Sequence, residues 1–176
     1  MLKLNQPAPE FTAAAYQKNH EDHYRQISLA DYKGQWVVLF FYPRDFTFVC
    51  PTEIEGFQKH YAAFKEANCE VLAASTDTIQ SHRAWYEADL SDVAFPILED
   101  PSHRISTAYE VLDDENGQAE RGTFIIDPDG QVKYFIVSDG NVGRSVTETL
   151  RVVKALQTGG LCPIDWQPGD KHVEKK

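Results

Sequence analysis

Apolar positions in this chain fall into alternating runs and stripes. Trp36 to Tyr42 is unbroken and apolar on both faces, which predicts a strand in the middle of a parallel sheet. A proline-punctuated stretch follows, and then Ile54, Phe57, Tyr61 and Phe64 recur at spacings of three and four. That stripe predicts an amphipathic helix from about Cys50 to Ala67. Glu53 and Glu55 fall in its first turn, with Lys59 and Lys65 further on, a charge order that suits the helix macrodipole. Cys69–Thr76 is the next apolar strand, so strand, helix and strand form a crossover of the right-handed parallel kind.

The remaining elements are shorter. Phe11–Tyr16 and Ile27–Leu29 read as extended pieces around a polar turn from Gln17 to Tyr24, with Ser28 placed to cap a turn before Asp31–Gly34. Thr78–Ala88 reads as a helix on Ile79, Trp85 and Tyr86, Ala94–Leu98 as extended, and Ser102–Tyr109 as a brief helix. Gly122–Asp127, the turn Pro128-Asp129-Gly130 and Gln131–Val137 form the clearest hairpin. A last helix from Ser145 to about Gln157 carries Val146, Leu150, Val153 and Leu156 on one face, and Gly159-Gly160 stops it. Two parallel strands, a hairpin and a packing helix amount to a thioredoxin-like α/β fold, a mixed central sheet with flanking helices. Residues 1–160 read as one domain and 161–176 as a polar C-terminal segment.

Composition narrows the functional classes. At 176 residues and 42% hydrophobic content, one domain with its own core is expected. A net charge of −10 without a basic cluster argues against nucleic acid or an anionic membrane as partner. Neither a secretory apolar segment near Met1 nor a run of about 20 apolar residues is present, and the expected location is cytoplasmic. The three cysteines, at 50, 69 and 162, form no Cys-x-x-Cys. The six histidines form no His-Glu-x-x-His, and His20 with His23 reads as a solvated loop, so no metal is expected. Gly-x-Gly-x-x-Gly is absent as well, and no cofactor is expected.

The chemistry concentrates at Cys50. Followed by Pro51, this thiol sits in or just before the first turn of a helix, where unpaired backbone N–H groups and the dipole favour a negative charge. Thiolates, the reactive form, are stabilised in such settings. Pro43 can shield one side of the sulfur, and the Thr47 hydroxyl can bond both a thiolate and an incoming oxygen. Cys69 opens an apolar strand and reads as structural. Cys162, in Leu161-Cys162-Pro163-Ile164-Asp165-Trp166, lies outside any core pattern. A thiol on a mobile terminus could meet a partner, or it could be an exposed thiol anchored by Trp166.

Phe-Tyr-Pro-Arg-Asp-Phe-Thr-Phe-Val-Cys-Pro-Thr-Glu, residues 41–53, resembles the active-site segment of the typical two-cysteine peroxiredoxins of the alkyl hydroperoxide reductase C type. Cys-Pro-x-x-Trp at 162–166 resembles their resolving-cysteine segment. The resemblance implies a thiol-dependent peroxidase acting on hydrogen peroxide and organic hydroperoxides. Cys50 would become a sulfenic acid, and Cys162 of a partner subunit would resolve it to a disulfide after the first helical turn unwinds. Arg121 matches the arginine facing the cysteine, and Glu53 with Arg144 matches the pair that organises it. Homodimers, decamers built from them, and an external disulfide reductase or thioredoxin-like reductant are implied too.

No Gly-Gly-Leu-Gly stands between Ala88 and Asp100, and no Tyr-Phe helix follows Trp166. The chain thus matches the bacterial style of the family, in which over-oxidation is less favoured. A ring with a chaperone role, or a peroxide sensor passing oxidation to another protein, are the alternatives on the same fold.

Overall fold

The computed structural model describes residues 2–174. In chain order the elements are Thr12–Tyr16 (β1), Tyr24–Ser28 (β2), Trp36–Phe41 (β3), Cys50–Glu66 (α1), Cys69–Ser75 (β4), Ile79–Asp89 (α2) and Ile97–Glu99 (β5). Then come Arg104–Ala108 (α3), Leu112–Asp113 (β6), Gln118–Ala119 (β7), Arg121–Ile126 (β8), Val132–Ser138 (β9) and Val146–Thr158 (α4). Seven strands make one mixed sheet in the order β2-β1-β5-β4-β3-β8-β9, and β6 pairs only with β7.

The crossover read from the sequence is present: β3 and β4 run parallel with Trp36 opposite Cys69, and α1 connects them. β8 flanks β3 antiparallel, Leu39 opposite Phe124, so the first residue of β8, Arg121, lies toward the end where β3 hands over to α1. Along β3 the side chains alternate between two cores. Val38 and Phe40 join Ile54, Phe57, Trp85, Tyr86 and Val153 under α1, α2 and α4, whereas Val37, Leu39 and Phe41 join Ala15, Ile105, Tyr109 and Phe124 on the other face. Both faces are covered, which is why the β3 sequence shows no polar alternation.

The N-terminal extended pieces join the main sheet. β1 pairs with β5 through Ala15–Leu98 and Tyr16–Ile97, so the first hairpin extends the main sheet. α3 begins later than the sequence suggests because His103, at φ 58°, takes the left-handed conformation just before it. The extended piece expected over Ala94–Leu98 pairs only from Ile97. β6 and β7 were not foreseen; two residues each are too few to show a period.

Helix α4 begins and ends as its sequence dictates. Ser145 Oγ accepts from Glu148 N at 3.2 Å, and Gly159 caps the C-terminus at φ 64°, a left-handed position that suits glycine. The segment beyond it is tied down. Trp166 is buried, its indole donates to the Asp170 carbonyl at 3.1 Å, and its own carbonyl accepts from Arg151 Nη1 at 2.9 Å.

Candidate active site

Cys50 is the first residue of α1, free and buried at 1% exposure. Its neighbours in the first turn offer fewer open amides than the sequence suggests. Pro51 has none, and the N–H groups of Thr52 and Glu53 both donate to the Val49 carbonyl, at 3.1 and 3.4 Å. The donor that reaches the sulfur is Arg121, whose Nη1 lies 3.4 Å from Cys50 Sγ. A guanidinium holds its charge at physiological pH, so the sulfur faces a fixed cation.

That cation is held from two other sides. Arg121 Nη1 also donates to Glu53 Oε2 at 2.5 Å, and Nε donates to the Gly140 carbonyl at 2.9 Å. Among the described residues Nη2 has no partner in the chain, which leaves it able to donate to a bound molecule. Glu53 Oε1 is occupied by Arg144, through the backbone N–H and Nε, both at 2.9 Å. Arg144 donates further to the carbonyls of Gly122 (3.0 Å) and Phe41 (2.6 Å) and to Thr123 Oγ1 (2.9 Å), and stacks over the Phe40 ring at 5.1 Å. Burial lowers the Arg144 guanidinium from its ordinary pKa, with Glu53 opposing the shift. Two guanidiniums against one carboxylate leave a single positive charge beside Sγ, enough to balance one thiolate.

Glu53, Arg121 and Arg144 therefore converge as the sequence matching anticipates, though Glu53 acts through its two ion pairs and not merely through the helix dipole. Thr47 differs from expectation: its hydroxyl donates to the Arg44 carbonyl at 2.9 Å and not to Cys50. Its lone pairs stay open toward an incoming donor. Pro43 is half-buried two residues past the end of β3.

Cys69 is buried at 1% exposure, and burial, with Glu70 adding to it, pushes its thiol up to about 12. Cys162 lies half-buried beyond α4, its Sγ 3.7 Å from the Ala155 carbonyl and 3.6 Å from Thr158 Oγ1. It does not join the Cys50 cluster.

A feature that the sequence reading passed over lies behind Thr47. Asp45 and His82 form a buried pair, Nδ1 to Oδ2 at 2.8 Å, with side-chain exposures of 1% and 0%. The Asp-Phe of the active-site segment carried the signal, but nothing in the sequence names the histidine 37 residues away as its partner.

A reduced cysteine opening a helix against a buried guanidinium, on a thioredoxin-like sheet, defines a class: a thiol-based oxidoreductase. The AhpC/TSA family model matches residues 4–135. A protein described as a putative peroxiredoxin in a rubredoxin operon, from Clostridium pasteurianum, is 49% identical over 175 residues, covering 97% of this chain and 98% of that one. A thioredoxin peroxidase from Trypanosoma brucei rhodesiense is 47% identical, covering 98% and 90%. The crystal structure of a reduced 2-Cys peroxiredoxin from Plasmodium vivax superposes with a TM-score of 0.90 at 35% identity, covering 96% and 91%. The chain belongs to the AhpC/TSA family, as a two-cysteine peroxiredoxin, and is a thiol-dependent peroxidase.

Proposed function

We propose that Cys50 is the peroxide-reactive thiol, that hydrogen peroxide and organic hydroperoxides are its substrates, and that Cys162 of a partner subunit resolves the oxidised form. The observation that carries this reading is the 3.4 Å contact from Arg121 Nη1 to Cys50 Sγ, made by a guanidinium already fixed by Glu53 and Gly140. The Cys50 thiolate attacks one peroxide oxygen, the S–O bond forms as the O–O bond breaks, and the other oxygen leaves with a proton as water or alcohol. Negative charge moves from sulfur onto the leaving oxygen, so a fixed cation already in place stabilises the transition state. Nη2 of Arg121 and the Thr47 hydroxyl are the groups available to orient the peroxide.

The sulfenic acid then condenses with a thiol, releasing water. Resolution within one chain is disfavoured by distance. Helix α4 starts against the Cys50 turn, where Arg144 meets Glu53, and reaches the far end of α1, where Gln157 Nε2 donates to the Ala67 carbonyl. Its 13 residues span about 20 Å at about 1.5 Å per residue, and Cys162 follows it. A second subunit supplies the thiol more readily. Strand β9 ends the sheet and exposes Phe135, Ile136 and Val137 in succession, an edge suited to pairing two copies. Two electrons from a disulfide reductase or a thioredoxin-like dithiol reopen the disulfide.

The test is equimolar peroxide added to wild type, Cys50→Ser and Cys162→Ser, followed by non-reducing electrophoresis and intact mass. A disulfide-linked dimer in wild type alone, with oxidised Cys50 trapped in Cys162→Ser, is expected. A wild type that oxidises at Cys50 yet never crosslinks removes Cys162 from the mechanism and favours the sensor. An inert Cys50 removes the peroxidase reading and leaves the chaperone ring.

A further inference from the structure

We propose that the Asp45–His82 pair is a positioning unit for the peroxide reaction, holding the loop between β3 and α1 in the strained shape that aligns Thr47 and Cys50. The proposal rests on the reading of Cys50 as the reactive thiol.

The Asp45 carboxylate is held by three side chains. Oδ1 accepts from the Tyr42 hydroxyl at 2.7 Å, and Oδ2 from Ser81 Oγ and His82 Nδ1, each at 2.8 Å. His82 Nε2 lies 3.1 Å from the Leu98 carbonyl. Nδ1 thus faces the Asp45 carboxylate, with the Tyr42 hydroxyl 3.4 Å away, and Nε2 faces a carbonyl, so both ring nitrogens have a partner within the protein. The Asp45 backbone is fixed too, its N–H donating at 2.9 Å to Asp77 Oδ2, which is itself bonded by Ser75 Oγ. One residue in the loop is therefore pinned to the end of β3, to β4, to α2 and to β5.

Stability alone does not explain such a node. A buried carboxylate–imidazole pair is often no more stabilising than apolar residues of the same volume, because desolvation cancels the attraction. The surroundings here are aromatic core, with Tyr42 and Trp85 rings 6.0 Å apart, where apolar packing would serve. What the node does hold is the backbone immediately after it. Phe46 takes φ 54°, a left-handed conformation that is strained for a bulky side chain. Such strain persists only where the neighbours over-determine it. Its ring is also steadied by Trp85 at 6.0 Å. Thr47 follows directly, turned back onto the Arg44 carbonyl, and Cys50 opens α1 three residues later. Asp45 and His82 touch neither the sulfur nor a substrate, so their effect runs through the loop.

The test compares two rates at Cys50 in the full-length protein: oxidation by limiting hydrogen peroxide, and alkylation by iodoacetamide, each followed by intact mass. The alkylating agent needs only an accessible thiolate, whereas peroxide also needs the oriented loop. In Asp45→Asn and His82→Leu the ratio of oxidation to alkylation should fall by about tenfold or more, as expected when reacting groups lose alignment. His82→Asn, whose amide can offer a donor where Nδ1 stood, should recover most of the ratio. Ser81→Ala, which removes one donor from a half-buried position, should show a smaller fall. A ratio within about twofold of the parent in both Asp45→Asn and His82→Leu, whether the two rates hold or drop together, overturns the proposal. If those two do not fold, an unchanged ratio in Ser81→Ala overturns it instead. A parent that alkylates but does not oxidise at Cys50 marks failure of the proposed function, a different result from an unchanged ratio.

Discussion

Glu53 Oε2 lies 2.5 Å from Arg121 Nη1, and the same carboxylate holds Arg144 through its other oxygen at 2.9 Å. One buried anion therefore ties α1 to the first residue of β8 and to the loop that opens α4. Removing it leaves two buried guanidiniums without their counter-charge. Glu53→Ala should destabilise the protein by about 3–5 kcal/mol, the usual cost of breaking a buried pair from one side. Urea unfolding of the reduced protein measures this, and a loss below about 1 kcal/mol would show that solvent or backbone groups compensate.

Arg121 is asked to bond Glu53, Gly140, the sulfur and a substrate at once, which only a forked group can do. Arg121→Lys keeps the charge but not the fork. We expect it to lose about a hundredfold or more in the second-order rate with hydrogen peroxide, nearly as much as Arg121→Ala, as for removal of a preorganised donor. Competition against a peroxidase of known rate gives the number. A lysine variant close to wild type would mean that charge alone suffices.

Much of this site was legible in the sequence, and its limits are physical. The helix opening at Cys50 follows from Pro51 and the stripe Ile54, Phe57, Phe64, all local signals. The central strand followed from Trp36 to Tyr42, since a segment buried on both faces cannot hide its composition. Arg121, Arg144 and Glu53, and their grouping around the arginine, came from motif matching alone, because the partners stand 68 and 91 residues apart and no local pattern links them. Sequence separation also hid His82, 37 residues from Asp45, which looked like one of six scattered histidines. Thr47 was misaimed for a local reason: a hydroxyl three residues after a free carbonyl turns back to it before it reaches a sulfur.

Gly122 lies between Arg121 and Thr123 and gives its carbonyl to Arg144 Nη1 at 3.0 Å. A Cβ there would meet Val111 Cγ1 at 2.7 Å and Phe124 Cε2 at 3.0 Å, both side chains buried and branched or ring-locked. Gly122→Ala should cost about 1–3 kcal/mol by overpacking. Because the strand that must shift carries Arg121, peroxide consumption should fall with it. Urea unfolding and a peroxide assay on the same sample check both halves, and full activity at reduced stability would separate the backbone of β8 from the site.

Cys69 supplies a pH prediction whose sign follows from burial. Its thiol is raised from the ordinary 9.0 to about 12 in the folded protein. Between those values the folded chain keeps a proton that the unfolded chain has lost, so its contribution is fully present below about pH 9 and fades as pH rises toward about 12. Each unit is worth about 1.4 kcal/mol. The buried tyrosines Tyr42, Tyr86 and Tyr109 are raised by the same cause and steepen the alkaline loss in every variant. The informative quantity is therefore a difference of slopes. Cys69→Ala should be less stable than wild type at about pH 8 because it leaves a small cavity, but it should lose less stability on going to about pH 10.5. In urea titrations of reduced protein at the two pH values the curves should converge. Parallel curves would mean that the Cys69 thiol already ionises in the folded state, and alkylation of Cys69 under native conditions at about pH 8 would say the same.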